Sequence, residues 1–125
     1  MRTLRLLFAP AAALAALAAP VSAQMLQQTD APYETKLKCG VFNAFMAGFN
    51  GEDTDEGKAA EARAEGWVML VMADKAEQPQ QAATDFEAAA NALTREIEGK
   101  MEADDTVAVF QVFTSYQELC APYGG

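Results

Sequence analysis

Cys39 and Cys120 are the only cysteines among 125 residues, and they are the residues whose chemistry the sequence defines best. An apparent export signal precedes them, and cysteines of an exported chain usually pair. Redox-active thiols usually occur in a Cys-x-x-Cys motif, which this chain lacks. We therefore expect a structural disulfide, and closing so long a loop would stabilise the fold by roughly 4 kcal/mol on the chain-entropy argument.

Catalytic and metal-binding groups are scarce. Histidine is absent, so the commonest general base and metal ligand is missing, and Ser115 is the only serine after residue 22. The acidic residues 52–56 suggest a calcium loop, but aligning Gly57 with the loop glycine puts Arg63 where a carboxylate ligand is needed. Carboxylate pairs elsewhere have no specific spacing. We expect no catalytic residue, metal or cofactor, and a non-enzymatic function.

Aromatic residues and methionines are the other candidates for a functional surface. Most have helical spacing and are expected in the core, but the first two helices carry apolar residues on more than one face. This excess suggests an interface with a second copy or another protein, or a pocket for an apolar ligand. The candidate residues are Phe42, Phe45, Met46, Phe49, Trp67, Met69 and Met72, together with Met101 of the third helix.

The beginning of the chain resembles a secretory signal. A basic start is followed by a nearly unbroken apolar run over residues 6–19, and small residues precede a cleavage point after Ala23. An uncleaved anchor is the alternative, but the run is short and rich in alanine for a membrane span. We expect residues 1–23 to be cleaved, residues 24–125 to form one domain, and the product to be periplasmic or secreted without a stable membrane anchor.

The chain is strongly acidic, with nine basic and eighteen acidic residues and a formal net charge of −9. Cleavage would remove Arg2 and Arg5, leaving seven basic residues and a charge of −11. Such a surface repels nucleic acid and anionic lipid, so neither is an expected partner. It permits a cationic protein partner, although an acidic coat that keeps the protein soluble is the simpler interpretation.

Apolar spacing predicts three helices before residue 103. The first spans about 32–49, and the second begins near Asp53 or Thr54 and ends at Gln78-Pro79. Within it, residues 67–72 are apolar on all sides and are expected to be the most buried part of the chain. The third helix is predicted to start at Thr84 with a capping box and to end near Gly99 or Met101.

Asp104 and Asp105 are expected to cap a fourth segment that runs to Cys120 and ends in a frayed tail. Residues 106–113 are rich in β-branched and aromatic side chains, so a strand is the alternative. A helix is favoured because a lone strand would need a partner. The prediction is an all-α, up-down-up-down four-helix bundle, closed by one disulfide between helix 1 and helix 4.

In size, export signal and single cystine the chain resembles small acid-stress chaperones of the bacterial periplasm. Local similarity is confined to Lys38-Cys39-Gly40-Val41-Phe42, so no site is transferred. We expect a helical module that binds a protein partner or client. In one version of this hypothesis the module responds to acid, because its carboxylates are neutralised below roughly pH 4. The alternatives are an inhibitor or immunity protein that neutralises a cationic toxin or hydrolase, and a binder of small apolar ligands.

Overall fold

The computed structural model describes residues 28–125, and this part of the chain is helical without strands. The predicted signal peptide, residues 1–23, lies outside the described residues. Residues 28–30 are helical, and they are followed by α1 (Tyr33–Asn50), α2 (Asp55–Asp74), α3 (Pro79–Glu102), α4 (Thr106–Cys120) and a short 3-10 helix (Ala121–Tyr123). None of the helices in residues 28–125 is long and apolar enough to cross a membrane.

The bounds of α1 and the start of α2 agree with the sequence. Pro32 precedes α1, and Gly51 ends it with a φ of 94°, a left-handed conformation that suits glycine. Thr54 caps α2, because its hydroxyl oxygen accepts a hydrogen bond of 3.0 Å from the Gly57 backbone N–H. Satisfying this free donor is the usual role of an N-cap threonine.

The boundary between α2 and α3 differs from the prediction. The second helix ends at Asp74 rather than at Gln78-Pro79, and the third starts at Pro79 rather than at Thr84. Proline fits the first turn of a helix because no backbone donor is needed there. The added turn also buries Ala82 against α1 and α2. Thr84 lies inside the helix, so the predicted capping box does not form.

The fourth segment is a helix, so the strand alternative for residues 106–113 is wrong. The Asp105 carboxylate accepts a hydrogen bond of 3.0 Å from the Ala108 backbone N–H and caps α4, as predicted. Val112 and Phe113 are buried against α1 and α3. Tertiary packing of this face outweighs the β propensity of the segment.

Helix α1 is the structural centre, because it contacts α2 most extensively and also contacts α3 and α4. The disulfide between Cys39 and Cys120 is formed, with a Cα–Cα distance of 5.7 Å, and links α1 to the end of α4 as predicted. The helices of residues 28–125 confirm the all-α prediction, whereas the four-helix count and the up-down-up-down topology stay predictions. The main core consists of Val41, Phe42, Leu93, Ile97, Val112 and Phe113.

Two polar contacts fix the beginning of α1 against its neighbours. The buried Lys36 ammonium lies 2.7 Å from an Asp74 carboxylate oxygen at the end of α2. The Tyr33 hydroxyl donates a hydrogen bond of 2.8 Å to Asp85 of α3. Because a buried lysine is costly without a counter-charge, the Asp74 carboxylate offsets the burial of Lys36.

Candidate functional site

The predicted interface residues in α1 form part of an aromatic cluster that continues onto α4. The rings of Phe45 and Phe49 lie 6.2 Å apart, and their centroids are 5.6 and 5.8 Å from that of Phe113. Phe110 meets Phe113 edge-on at 6.2 Å. These separations fall in the range at which aromatic pairs attract each other, so the cluster is a packed apolar surface.

The cluster forms one wall of an open groove of about 450 Å³, which we call the end groove. It lies where α1 and α3 end and α4 begins. The apolar side chains that line it are Phe45, Phe49, Ile97, Met101, Val109, Phe110 and Phe113. Three helices from distant parts of the sequence therefore supply one continuous apolar surface.

Large apolar side chains around the end groove remain in contact with solvent. Phe49 is 64% exposed, Met101 63% and Phe110 61%. Burying an aromatic or methionine side chain is worth about 1.5–3 kcal/mol, so each forgoes stabilisation that burial would give. Scattered exposed apolar residues are ordinary, but a set gathered around one groove is typical of an interaction surface.

The edge of the end groove is acidic. Asp104, Asp105 and Thr106 line it, in the turn that joins α3 to α4. Asp105 is engaged as the cap of α4, whereas the Asp104 carboxylate has no hydrogen bond or ion pair within residues 28–125. Asp104 has a φ of 55°, in the left-handed region where aspartate and asparagine are tolerated better than most residues.

Phe42 and Met46, also predicted for the interface, lie beside the groove rather than in it. Phe42 is buried in the core, stacked on Tyr116 at 5.4 Å and close to Phe113. Met46 is partly buried against the same core. Phe42, Phe45, Met46 and Phe49 share one face of α1, spaced i, i+3, i+4 and i+7.

Trp67 belongs to a different cluster, together with the disulfide. It is buried against Cys39 and Cys120, and the Tyr123 ring meets it edge-on at 5.9 Å. Its indole N–H donates a hydrogen bond of 2.8 Å to the Gly125 carbonyl oxygen. The chain end is therefore held in place, so the predicted frayed tail is wrong over these residues.

The disulfide has no access to solvent that would suit redox chemistry. Cys39 is 0% exposed and Cys120 1% exposed. Thiol–disulfide exchange requires a thiolate to reach a sulfur atom. The burial of both residues supports the structural role that the sequence predicted.

Met69 and Met72 lie away from the end groove on the outer side of α2. Met69 is 72% exposed and Met72 40% exposed, so the expectation that residues 67–72 are the most buried part of the chain is wrong for this side of the helix. Only the face of α2 that carries Trp67 and Val71 packs inward. Met69 lines a second open groove of about 680 Å³ together with three glutamates, Glu52, Glu61 and Glu65.

The structure thus brings three of the eight aromatic and methionine candidates, Phe45, Phe49 and Met101, into one groove and distributes the rest elsewhere. It adds Phe110, which the candidate set lacks. The sequence held a signal for Phe110, because in a helix it lies off the inward-facing stripe of Val109, Val112 and Phe113. That signal was obscured by the helix-or-strand ambiguity of residues 106–113.

Metal ligation has no evident site in the described part of the chain. Residues 28–125 contain no group of three or more histidine, cysteine, aspartate or glutamate side chains placed to hold a metal ion. The end groove offers a partner an apolar surface, with carboxylates at its edge. Comparison with protein-family models, with curated proteins and with solved structures finds no match to this chain.

Proposed function

We propose that this chain is a non-enzymatic helical module that binds a protein partner or client through the end groove. The observation that carries the proposal is the gathering of Phe49, Met101 and Phe110, each more than 60% exposed, around one apolar groove. Aromatic residues and methionine are enriched in protein interfaces. The packed aromatic cluster beneath supplies a preformed floor.

The dimensions of the end groove suit a few apolar side chains of a partner segment. An open groove of about 450 Å³ is too small for a folded domain and admits two or three side chains. Anchoring residues seated in such a groove commonly supply most of the binding energy of a protein interface. A helical segment with apolar residues at i, i+3, i+4 and i+7 presents side chains in this way.

The setting we propose is the periplasm or the outside of the cell. The buried Cys39–Cys120 disulfide supports this location, because such bonds persist in oxidising compartments. The apolar run at residues 6–19 and the cleavage point after Ala23 agree with it. Short connections between the four long helices support the up-down-up-down bundle.

The proposal is tested with a fluorescent 16-residue peptide that has leucine and phenylalanine at helical spacing and glutamine at both ends. Its binding is followed by fluorescence anisotropy for the wild type, Phe110→Ser and Met69→Ser. Met69 is the matched control, because it is as exposed as Phe110 but lies outside the groove. Circular dichroism verifies that the variants fold.

We expect the wild type to bind the peptide and Phe110→Ser to weaken binding by about tenfold or more, which corresponds to loss of one buried aromatic contact. Met69→Ser should bind like the wild type. Absence of binding, or an equal loss in both variants, would contradict the proposal. Binding of a small apolar dye that the peptide cannot displace would favour a ligand-binding function instead.

A further inference from the structure

The acidic edge of the end groove indicates which partner segments fit it. Glu102, Asp104 and Asp105 place three carboxylates within four residues of the α3–α4 turn, and Lys100 is the basic residue nearest in sequence. The ion pair within residues 28–125 is Lys36–Asp74, so Lys100 does not neutralise this edge by direct contact. The groove therefore combines an apolar floor with a negative edge.

We propose that the occupant of the end groove is a protein segment that seats apolar side chains on Phe49, Met101 and Phe110 and places a lysine or arginine beside Asp104. This inference rests on the proposed function and specifies the chemistry of the partner. Asp104 is the key residue because its carboxylate has no partner within residues 28–125, whereas Asp105 already caps α4.

Charge complementarity favours such a segment over a second copy of this chain. A two-fold interface brings the same patch of both copies together, so two acidic edges would share one interface. Each copy also has a net charge of −9, which becomes −11 once residues 1–23 are cleaved, and like charges repel over about 10 Å at moderate salt. A partner with basic residues next to its apolar anchors encounters attraction instead.

The Asp104 position allows a clean removal of charge. Its left-handed backbone is compatible with asparagine, so Asp104→Asn removes the negative charge and retains the turn. Glu77→Gln is the matched control, because Glu77 is an exposed carboxylate in the turn between α2 and α3. This turn adjoins the Lys36–Asp74 contact, and Lys36 is roughly 20 Å along α1 from Phe49 at 1.5 Å per residue.

The experiment compares three peptides that share one apolar face and differ in their ends, which carry lysine, glutamine or glutamate. Dissociation constants are measured by anisotropy at low and high salt for the wild type, Asp104→Asn and Glu77→Gln. We expect the lysine peptide to bind about tenfold tighter than the glutamate peptide at low salt, and the preference to shrink at high salt. Asp104→Asn should reduce the preference about threefold, a typical worth of one exposed charge pair.

The remaining outcomes separate the preference for a cation from binding in the groove itself. Equal binding of the three peptides, or the same loss of preference in Glu77→Gln and Asp104→Asn, would overturn this inference and leave the proposed function intact. If none of the peptides binds, both are overturned. Sedimentation analysis completes the test, because a wild-type dimer that Phe110→Ser dissociates would show that a second copy occupies the groove.

Discussion

The Trp67 indole N–H donates a hydrogen bond of 2.8 Å to the main-chain oxygen of Gly125, fifty-eight residues further along the chain. Trp67 is itself 2% exposed and packs against both disulfide cysteines. The hydrogen bond therefore joins the middle of α2 to the chain end that follows Cys120. It makes the disulfide, the tryptophan and the terminal residues one structural unit.

Trp67→Phe tests the strength of this unit. The variant loses the indole N–H and part of a buried ring, so we expect a loss of about 2 kcal/mol in the free energy of unfolding. Removing Gly125 alone isolates the hydrogen bond and should cost about 1 kcal/mol, with a red shift of tryptophan emission. Urea unfolding followed by circular dichroism measures both. Unchanged stability of both variants would show that the tail is not held in solution.

The disulfide is expected to stabilise the fold without taking part in chemistry. Its loop spans 81 residues, so the double variant Cys39→Ala/Cys120→Ala should lose roughly 4 kcal/mol on the chain-entropy argument. Because both cysteines are buried, dithiothreitol should reduce the native bond only as fast as the protein opens. Mass spectrometry after thiol alkylation follows this rate with and without urea. Rapid reduction in native buffer would contradict the structural role.

Two glycines of α1 offer a matched pair of substitutions. An alanine Cβ at Gly40 would lie 3.3 Å from the Trp67 Cβ and 3.1 Å from the Phe86 ring, whereas at Gly48 nothing lies within 4 Å. We expect Gly40→Ala to destabilise the fold by about 1–3 kcal/mol through overpacking. Gly48→Ala should stabilise it by about 0.5–1 kcal/mol through helix propensity. Thermal unfolding of both variants measures the difference, and a gain from Gly40→Ala would contradict the close α1–α2 contact.

The Tyr33–Asp85 hydrogen bond makes stability depend on pH at both extremes. The Tyr33 hydroxyl, and secondarily the Gln81 amide, lower the pKa of Asp85. Partial burial, and secondarily the Asp85 carboxylate, raise the pKa of Tyr33 to about 12. The Asp85 contribution is therefore present above the ordinary carboxyl pKa and lost as pH falls through the lowered value. The Tyr33 contribution is present below pH 10 and lost as pH rises through about 12.

Tyr33→Phe isolates this contact. We expect the wild type to exceed the variant in free energy of unfolding at pH 7 and the difference to shrink towards pH 3. Tyr33→Phe should cost less free energy of unfolding when Asp85→Asn is already present. The double variant should therefore lose less than the sum of the two single changes. Urea unfolding at pH 7, 5 and 3 gives these values. A difference that is independent of pH would show that the hydrogen bond is absent.

The helices were predictable where local chemistry and packing agree. Leu37, Val41, Phe45 and Phe49 recur every four residues, and three of these side chains are buried or half-buried along α1. Thr54 and Asp105 cap their helices because each has the short polar side chain that the first turn requires. The cysteine pair followed from the placement of Cys39 early in α1 and Cys120 at the end of α4.

The rest depended on tertiary contacts that periodicity does not encode. A proline can follow the end of one helix or stand in the first turn of the next, so Pro79 alone does not show where the third helix begins. In the structure the helix begins at Pro79, and Ala82 packs in the core. Trp67 and Met69 stand two residues apart on an apolar stretch, yet one is buried and the other exposed, since α1 covers one side of α2. The end groove is formed by three chain segments that are distant in sequence, so helix periodicity could not predict it.

Amide chemical-shift mapping with the lysine-ended peptide shows whether the end groove binds a partner segment. We expect saturable shifts concentrated at the end of α1, the end of α3 and the start of α4, around Phe49, Met101 and Phe110. The amides around Met69 should stay unchanged. Shifts centred on the Met69 side of α2, or no shifts at saturating peptide, would mean that the end groove is not the binding site.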